Sequence, residues 1–413
     1  MSTAFTALFL AALTLTTLLR LWLARRHVRH VAAHRGAVPE AFCETISLEA
    51  HQRAADYTVA KVHLGMLDVI VGAVFVLALT LGGILQAMHA AWASFGLDGL
   101  ALGLAFIAGL VVLSSAVDLP FSLYRTFVIE ERFGFNKMTP RLFIIDLVKG
   151  SLLGAAIGLP VLAAVLWLME RMGSAWWLYV WLFWLAFNLL ALLIYPTVIA
   201  PLFNKFTPLA DASLKERIEA LLARCGFRSS GLFVMDGSTR SAHGNAYFTG
   251  FGQAKRIVFF DTLLEKLAPE EIEAVLAHEL GHYKRRHVWK RIGVLALASF
   301  GFLWLLGVLI GEPWFYEGLG MTSRGTAPAL VLFSLAVPVF TFPLAPLMSA
   351  LSRRHEFEAD AYAAQQTRAG NLVAALVKLY RDNAATLTPD PLYSTFYDSH
   401  PPAAARIAHL QTS

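Results

Sequence analysis

Two histidines stand four residues apart in the segment His278-Glu279-Leu280-Gly281-His282 of this 413-residue chain. On a helix, residues at this spacing share a face, so both imidazole rings can bind one zinc ion. Glu279 lies about 100° further round the helix and can reach a water molecule beside that metal as a general base. The pattern predicts a peptidase site with one zinc ion per chain. The alternative, which the pattern alone leaves open, is a pair of solvated or core histidines.

A glycine inside the same predicted helix points to close packing. Pro269, followed by two glutamates, is typical of a helix start, so Gly281 falls in the helix interior. Glycine is a poor helix former, and at such a position it usually marks the close approach of another backbone or of a ligand. Simple packing between helices is the other interpretation.

The third metal ligand must come from elsewhere, because catalytic zinc sites generally use three protein ligands and a water. The best candidate lies in the segment 352–360, which follows an apolar run and looks helical. There Glu356 and Asp360 are four residues apart and face the same way, whereas Glu358 points roughly to the opposite side. Geometry favours Glu356 as the ligand and Asp360 as the hydrogen-bond acceptor of a zinc-bound imidazole. Glu358 is then a bystander; the alternative for all three is a charged, solvated helix face.

A small sheet is predicted before the helix that carries the two histidines. An amphipathic helix at 212–226 precedes short strands at 232–235, 246–249 and 256–260, and a turn region at 250–255 joins the last two. Zinc peptidases commonly hold an extended substrate at an exposed sheet edge. Asn245 and Ala246 are the candidates for that edge; the alternative is that Asn245 is a turn residue that begins a strand.

The composition places this site in a membrane protein. The chain is 57% hydrophobic and 15% charged, with a mean hydropathy of +0.58, which is too apolar for a soluble enzyme of this length. We predict seven membrane spans, the last of them kinked or broken by its prolines, near 4–23, 66–88, 99–118, 143–168, 175–198, 292–311 and 329–350. The predicted fold is therefore an all-α multi-span membrane protein with a small α+β zinc-peptidase core.

Basic residues predict the orientation. The predicted loops 25–64 and 119–142 carry ten lysines and arginines, whereas the loops on the other side hold two. The positive-inside rule places the N-terminus outside and both the 199–291 segment and the C-terminus in the cytoplasm. Glu356 then shares a face with His278. The formal net charge of +5 indicates contacts with lipid headgroups, and no nucleic acid is expected as a partner.

The same pattern divides the chain into four parts. We expect a membrane region at 1–198 with spans one to five, a cytoplasmic zinc-peptidase segment at 199–291, spans six and seven at 292–350, and a C-terminal cytoplasmic segment at 351–413. The intramembrane Asp146 and Lys149 are one helical turn apart and are expected to neutralise each other.

Six motifs resemble the integral-membrane CAAX prenyl protease 1 family and follow that family's order. They are Glu131-Arg132-Phe133-Gly134-Phe135-Asn136-Lys137, Pro201-Leu202-Phe203-Asn204-Lys205-Phe206, Asn245-Ala246-Tyr247-Phe248, His278-Glu279-Leu280-Gly281-His282, Glu356-Phe357-Glu358-Ala359-Asp360 and Ser399-His400-Pro401-Pro402. The resemblance implies seven long helices that enclose a chamber, with the zinc site inside it near the cytoplasmic end. It also implies that Glu356 is the ligand. The family's eukaryotic members clip C-terminal tripeptides from prenylated CAAX proteins.

The resemblance extends to substrate, location and mechanism. Short connecting loops and the lack of a retention signal after Arg406 suggest a bacterial inner-membrane member, acting on peptide or protein substrates with or without a lipid. Glu279 would take the proton of the attacking water and return it to the leaving amine. The resemblance makes His400 the candidate donor to the developing oxyanion. Arg406 would fix the C-terminal tail or hold a substrate carboxylate.

Two other functions compete with CAAX processing. One is a membrane quality-control zinc protease that acts on damaged or stalled proteins, although such a protease would not need the long motifs outside the zinc site. The other is a non-catalytic membrane chamber or chaperone that keeps zinc for structure. Glu279 argues against it, because a structural metal site has no use for a general base.

Overall fold

The structure, a computed structural model, describes residues 1–249 and 254–412. Within these residues seven helical segments are long and apolar enough to cross a membrane, which confirms the predicted number. They are Ser2–Ala33, Leu48–Leu79, Gly99–Glu130, Pro140–Arg171, Gly173–Phe203, His287–Leu309 and Thr326–Gln366.

The elements are numbered in chain order. The helices of the first half are α1 (Ser2–Ala33), α2 (Leu48–Leu79), α3 (Ile84–Ser94), α4 (Gly99–Tyr124), α5 (Pro140–Arg171), α6 (Trp176–Ile194), α7 (Ala200–Phe203) and α8 (Ala212–Cys225). The strands are β1 (Phe206–Pro208), β2 (Arg228–Met235), β3 (Ala246–Thr249) and β4 (Ala254–Phe260). The remaining helices are α9 (Asp261–Leu264), α10 (Pro269–Lys284), α11 (His287–Leu309), α12 (Pro313–Gly318), α13 (Thr326–Thr341), α14 (Ala345–Gln366), α15 (Ala369–Asp382), α16 (Pro391–Tyr397) and α17 (Ala403–Thr412).

The membrane helices pack tightly at one end and separate at the other. Where α1, α4, α11, α12 and α13 meet, a cluster of large apolar side chains is fully buried, among them Phe9, Phe106, Leu306, Tyr316 and Leu332. Towards the peptidase segment the helices enclose a chamber. One cavity of about 550 Å³ lies there between α1, α2 and the C-terminal segment. This end of the bundle therefore has room for a ligand.

The second span differs most from its prediction. It was expected at 66–88, but α2 runs from Leu48 to Leu79, so much of the predicted loop 25–64 is helical. The helix begins at Ser47, whose hydroxyl accepts a hydrogen bond from the Ala50 N–H at 3.2 Å. Lys61 lowers the apolar character of its first half, yet it lines the internal cavity. Charged residues that face a wet interior hid the span from a hydropathy argument.

Proline residues break the last span, as predicted. α13 contains Pro338 and ends at Thr341, a short turn at Phe342–Leu344 follows, and α14 begins at Ala345. α14 then continues without interruption into the segment that carries the predicted third ligand. An element that enters the membrane region therefore also builds the site.

The predicted small sheet is present and has one additional strand. Its order is β1-β2-β4-β3, with β2 and β4 parallel and the other two pairs antiparallel. β2, β3 and β4 correspond to the three predicted strands, and β1 was not predicted. Most of the predicted turn region 250–255, at 250–253, lies outside the described residues. In the described chain β3 pairs with β4 alone and so forms one edge of the sheet.

The peptidase core and the membrane helices are joined by an ion pair. The Arg240 guanidinium donates from Nε to Asp146 Oδ2 at 2.8 Å, and Lys149 Nζ donates to the Leu202 carbonyl at 3.3 Å. The expected neutralisation of Asp146 by Lys149 is therefore wrong. The segment after β2 brings an arginine to α5 from a distant part of the sequence, which local spacing does not predict.

Candidate active site

Three side chains converge between α10 and α14. The ligand atoms of His278, His282 and Glu356 all lie within 4.8 Å of one another. The two histidine Nε2 atoms are 3.2 Å apart, and each lies 3.4 Å from a carboxylate oxygen of Glu356. The i, i+4 spacing on α10 and the first acid of the α14 motif thus bring three possible metal donors together. The cluster contains two nitrogen donors and one oxygen donor.

Gly281 allows the two helices to come this close. A Cβ atom at position 281 would lie 3.0 Å from the Ala359 Cα and 3.1 Å from its carbonyl oxygen. Contacts below about 3.4 Å are tighter than ordinary van der Waals contact. The glycine therefore lets the backbone of α14 pass against α10, which confirms the predicted close approach.

A buried arginine and aspartate hold the ring of His278. Asp360, fully buried, lies 2.8 Å from His278 Nδ1 and accepts a hydrogen bond from Arg406 Nε at 2.8 Å. Arg406 is 5% exposed, so its guanidinium is engaged inside the protein. This geometry favours the structural role of Arg406 over the alternative in which it holds a substrate carboxylate. Asp360 fixes the orientation of the ring and leaves Nε2 facing Glu356.

A second hydrogen-bonded chain, which was not predicted, holds His282. Its Nδ1 lies 2.9 Å from Nδ1 of His287, and Nε2 of His287 lies 3.0 Å from Glu358 Oε2. His287 is 4% exposed. The expectation that Glu358 is a bystander is wrong: it does point away from Glu356, but α11 folds back so that His287 fills the space beside it. The one feature of the sequence that could have indicated this contact is His287 itself, a third histidine five residues after His282.

The cluster fits a metal cation. With one nitrogen of each histidine engaged by Asp360 or His287, both Nε2 atoms face the same point. Glu356 Oε2 is buried and has no hydrogen-bond partner among the described residues. Burial alone would lower the pKa of His278, but the neighbouring carboxylates of Asp360 and Glu356 outweigh it and raise the pKa to about 9. The surroundings therefore favour positive charge, and the two-nitrogen, one-oxygen donor set suits zinc.

Glu279 and His400 share one cavity with the cluster. A cavity of about 500 Å³ is lined by Glu279, His282, Glu356 and His400 and reaches β3. Nε2 of His400 is 3.4 Å from Glu356 Oε1. Burial outweighs the attraction of Glu356 and lowers the pKa of His400, which favours the neutral ring with one N–H to donate. Glu279 and His400 thus both border the cavity beside the metal cluster.

The exposed edge of β3 borders the same cavity. The Phe260 N–H donates to the Asn245 carbonyl at 3.0 Å, so the backbone groups of Asn245 face β4. Because these groups alternate along a strand, those of Ala246 and Phe248 face outward. The Phe248 carbonyl accepts from the Tyr283 hydroxyl at 3.2 Å, while the Ala246 N–H donates to Oδ1 of Asn245 at 2.8 Å. The outward N–H of Ala246 is thus covered by a movable side chain.

Comparison with known proteins gives matches along nearly the whole chain. Residues 27–205 match the family described as CAAX prenyl protease N-terminal, five membrane helices, and residues 208–413 match peptidase family M48. The chain is 43% identical to a CAAX prenyl protease 1 homolog of Oryza sativa subsp. japonica over 75% of this chain and 73% of that protein. It is 33% identical to a Caenorhabditis elegans homolog over 98% and 97%.

A solved structure has the same fold. The crystal structure of S. mikatae Ste24p superposes with a TM-score of 0.91 at 33% sequence identity, covering 98% of each chain. The similarity therefore includes the membrane helices and the peptidase core together.

Proposed function

The chain belongs to the CAAX prenyl protease 1 family of M48 peptidases and is an integral-membrane metalloendopeptidase; from this premise we propose which substrate it cleaves and how. The proposed substrates are peptides or proteins that end in a CAAX-type sequence, cut near their C-terminus. The proposed cofactor is one zinc ion per chain, held by His278, His282 and Glu356.

One observation carries the proposal. The three donors converge on a point beside a cavity that Glu279 also lines. A purely structural zinc site is closed by four protein ligands, whereas a catalytic site has three and an open position. The three-donor cluster with a carboxylate beside it therefore favours catalysis over a chamber that keeps zinc for structure.

The chain's own residues supply the proton transfers. When bound, zinc would polarise the scissile carbonyl and acidify a water molecule. Glu279 takes the proton of the attacking water and passes it to the leaving amine. His400, neutral and within the same cavity, donates its N–H to the oxygen that becomes negatively charged. Asp360 and His287 keep the two histidine rings oriented throughout.

The edge of β3 positions the substrate. An extended peptide lying along β3 would pair with the outward N–H of Ala246, and Asn245 would turn its side-chain amide from that N–H to the peptide. Backbone pairing places little restriction on side chains, so selectivity must come from the chamber.

The proposed orientation follows from the basic loops. We place the N-terminus outside and the active site and C-terminus in the cytoplasm. We propose a division at 1–198, 199–291, 292–350 and 351–413. Its first boundary is supported by the change between the two family matches near residue 205. The bacterial inner membrane stays a prediction from the sequence.

The test uses purified protein in detergent and four peptides. Two peptides end in a CAAX sequence, one prenylated and one not, and two have the same composition with the cysteine moved away from the C-terminus. We expect cleavage of the CAAX peptides, its loss with a chelator or in Glu279→Gln, and recovery with zinc. Equal cleavage of the peptides with the cysteine at either position would favour the quality-control protease. The difference in cleavage rate between the prenylated and the unprenylated CAAX peptide measures the contribution of the lipid.

A further inference from the structure

The cavity beside the metal cluster adjoins a second cavity, the one between α1 and α2. Ser399 and His400 line both the 500 Å³ cavity beside the metal cluster and the 550 Å³ cavity between α1 and α2. An extended peptide that passes the metal and His400 therefore has space to continue into the chamber. What lines that space decides which end of a substrate it accepts.

Two cations from the membrane helices line this second cavity. Arg20 of α1 and Lys61 of α2 lie at similar distances from Ala33 and Leu48, the ends of these antiparallel helices that face the peptidase segment. They therefore lie at matching depth. Charged side chains within spanning helices are costly and commonly mark a substrate path.

Neither cation is neutralised by an ion pair within the described residues. The Nε atom of Arg20 is buried without a hydrogen-bond partner there, and its guanidinium carbon lies 5.2 Å from the ring centre of Phe342. Nζ of Lys61 lies 3.8 Å from the ring centre of Tyr57. Aromatic contacts steady the two charges without neutralising them. Glu130 attracts Lys61 electrostatically but forms no close ion pair with it.

The acidic residues of the cavity leave this pair positive. Asp68 lies two helical turns beyond Lys61 on α2, about 10 Å deeper in the chamber. Asp398, on the C-terminal segment, has its pKa raised by burial, so it takes up a proton more readily than an exposed aspartate does. The region between Arg20, Lys61 and His400 is therefore suited to an anion.

We propose that Arg20 and Lys61 form a cationic subsite that binds the C-terminal carboxylate of the substrate. The inference rests on the proposed function, because a CAAX sequence lies at the extreme C-terminus of its protein. A bond cut within that sequence lies at most about three residues, on the order of 10 Å, from a free carboxylate. The subsite thus distinguishes a chain end from an internal peptide and fixes which bond reaches the metal.

The first test compares a CAAX peptide as the free acid with the same peptide as its C-terminal amide. We expect the amide to have a KM roughly tenfold or more higher, since it loses charge-assisted hydrogen bonds to two cations. Equal KM values would overturn the subsite and leave the protease assignment standing. If neither peptide is cleaved, the proposed function fails and the subsite fails with it.

Variants locate the effect. The quantity to compare is the KM for the amide divided by the KM for the free acid. This ratio should fall towards one in Lys61→Met and in Arg20→Met, and should come closest to one in the double variant. Lys149→Met is the matched control, because Lys149 also lies in a spanning helix but does not line this cavity; its ratio should equal that of wild type. Melting temperature and zinc content check that each variant is folded. A double variant that is folded and keeps the wild-type ratio would overturn the assignment.

Discussion

At the residue scale, the site gives its carboxylates different tasks by placing them at different distances from the histidine pair. Glu356 lies 3.4 Å from each imidazole and is suited to coordination, while Glu279 follows His278 on α10 and faces the cavity. Asp360 lies on the far side of His278 and orients it. The sequence periodicity predicts these three roles because each depends on helical spacing alone.

The first prediction distinguishes the effect of removing a metal ligand from the effect of removing the general base. We expect Glu356→Ala to lose both zinc and activity, and Glu279→Gln to keep zinc while turnover falls by about 10²-fold or more, because the base is removed but no ligand is. Metal analysis and peptide kinetics on the same preparations test this. Normal zinc content in Glu356→Ala would contradict the ligand assignment.

The second prediction concerns the chain from Glu358 through His287 to His282. Glu358→Ala removes the acceptor that orients His287, so we expect zinc affinity to fall by about tenfold, the low end for residues that orient metal ligands. Competition with a chelator dye measures this without turnover. Arg354→Ala is the control, because Arg354 also contacts Glu358 but is 78% exposed. The Arg354→Ala variant should bind zinc as tightly as wild type does. Equal affinity in Glu358→Ala and Arg354→Ala would show that the chain does not position the ligand.

This chain escaped prediction because it depends on how two helices are joined. α10 ends at Lys284, and Arg286 takes a left-handed conformation (φ 57°) before α11 begins at His287. A left-handed arginine has no local sequence signal, since glycine or asparagine is the usual choice. Asp360, which orients His278, lies on the same predicted helix as Glu356, whereas His287 and Glu358, which orient His282, become neighbours only through this turn.

At the scale of elements, the contact between α10 and α14 sets the geometry of the metal cluster. Both helices were predicted, and Gly281 was predicted as a point of close approach. Their separation could not be predicted, because it depends on Ala359 lying opposite Gly281. β1 was also missed. It has only three residues, Phe206–Pro208, and its pairing partners in β2 lie more than twenty residues further along the chain.

The third prediction tests that contact. In Gly281→Ala the added methyl group meets the α14 backbone, so we expect a loss of about 1–3 kcal/mol of stability and weaker zinc binding as the helices move apart. Gly293→Ala in α11 is the control, because no atom lies within 4 Å of a Cβ at position 293. Alanine is the better helix former, so this variant should be as stable as wild type or slightly more so. Thermal unfolding with and without chelator compares the two; equal behaviour would mean that the close approach is dispensable.

The edge strand carries the fourth prediction. Ala246→Pro removes the outward N–H of β3 but no hydrogen bond to β4, because Ala246 faces away from β4. We expect kcat/KM for peptides to fall by about tenfold with zinc content and melting temperature little changed. Asn245→Ala should have a smaller effect of the same kind. If either variant loses stability while specific activity stays normal, Asn245 is a turn residue and the substrate lies elsewhere.

At the scale of the whole molecule, hydropathy predicted seven spans, and charge predicted their orientation. The start of the second span could not be read in this way, because Lys61 lines the chamber. An argument from average hydropathy assumes that charged residues leave the membrane, and this assumption fails wherever helices enclose water.

The fifth prediction uses natural cysteines to test orientation. Cys43 is exposed in the segment between α1 and α2, and Cys225 is buried. A membrane-impermeant maleimide should label Cys43 only after the membrane is opened on the cytoplasmic side. Thr322→Cys, introduced with Cys43→Ser in the exposed turn before α13, should react in intact cells. The reverse pattern would invert the proposed topology.

The bond between Arg406 and Asp360 has a consequence for the time at which the enzyme becomes active. A growing chain emerges from the ribosome with its N-terminal part first. His278 and His282 are therefore made before two further membrane helices, Glu356 follows with the second of them, and Arg406 comes later still. Until that arginine docks, Asp360 is a buried acid whose contact with His278 is not yet supported by the guanidinium. The full set of contacts around His278 therefore forms only after the segment that carries Arg406 has been made.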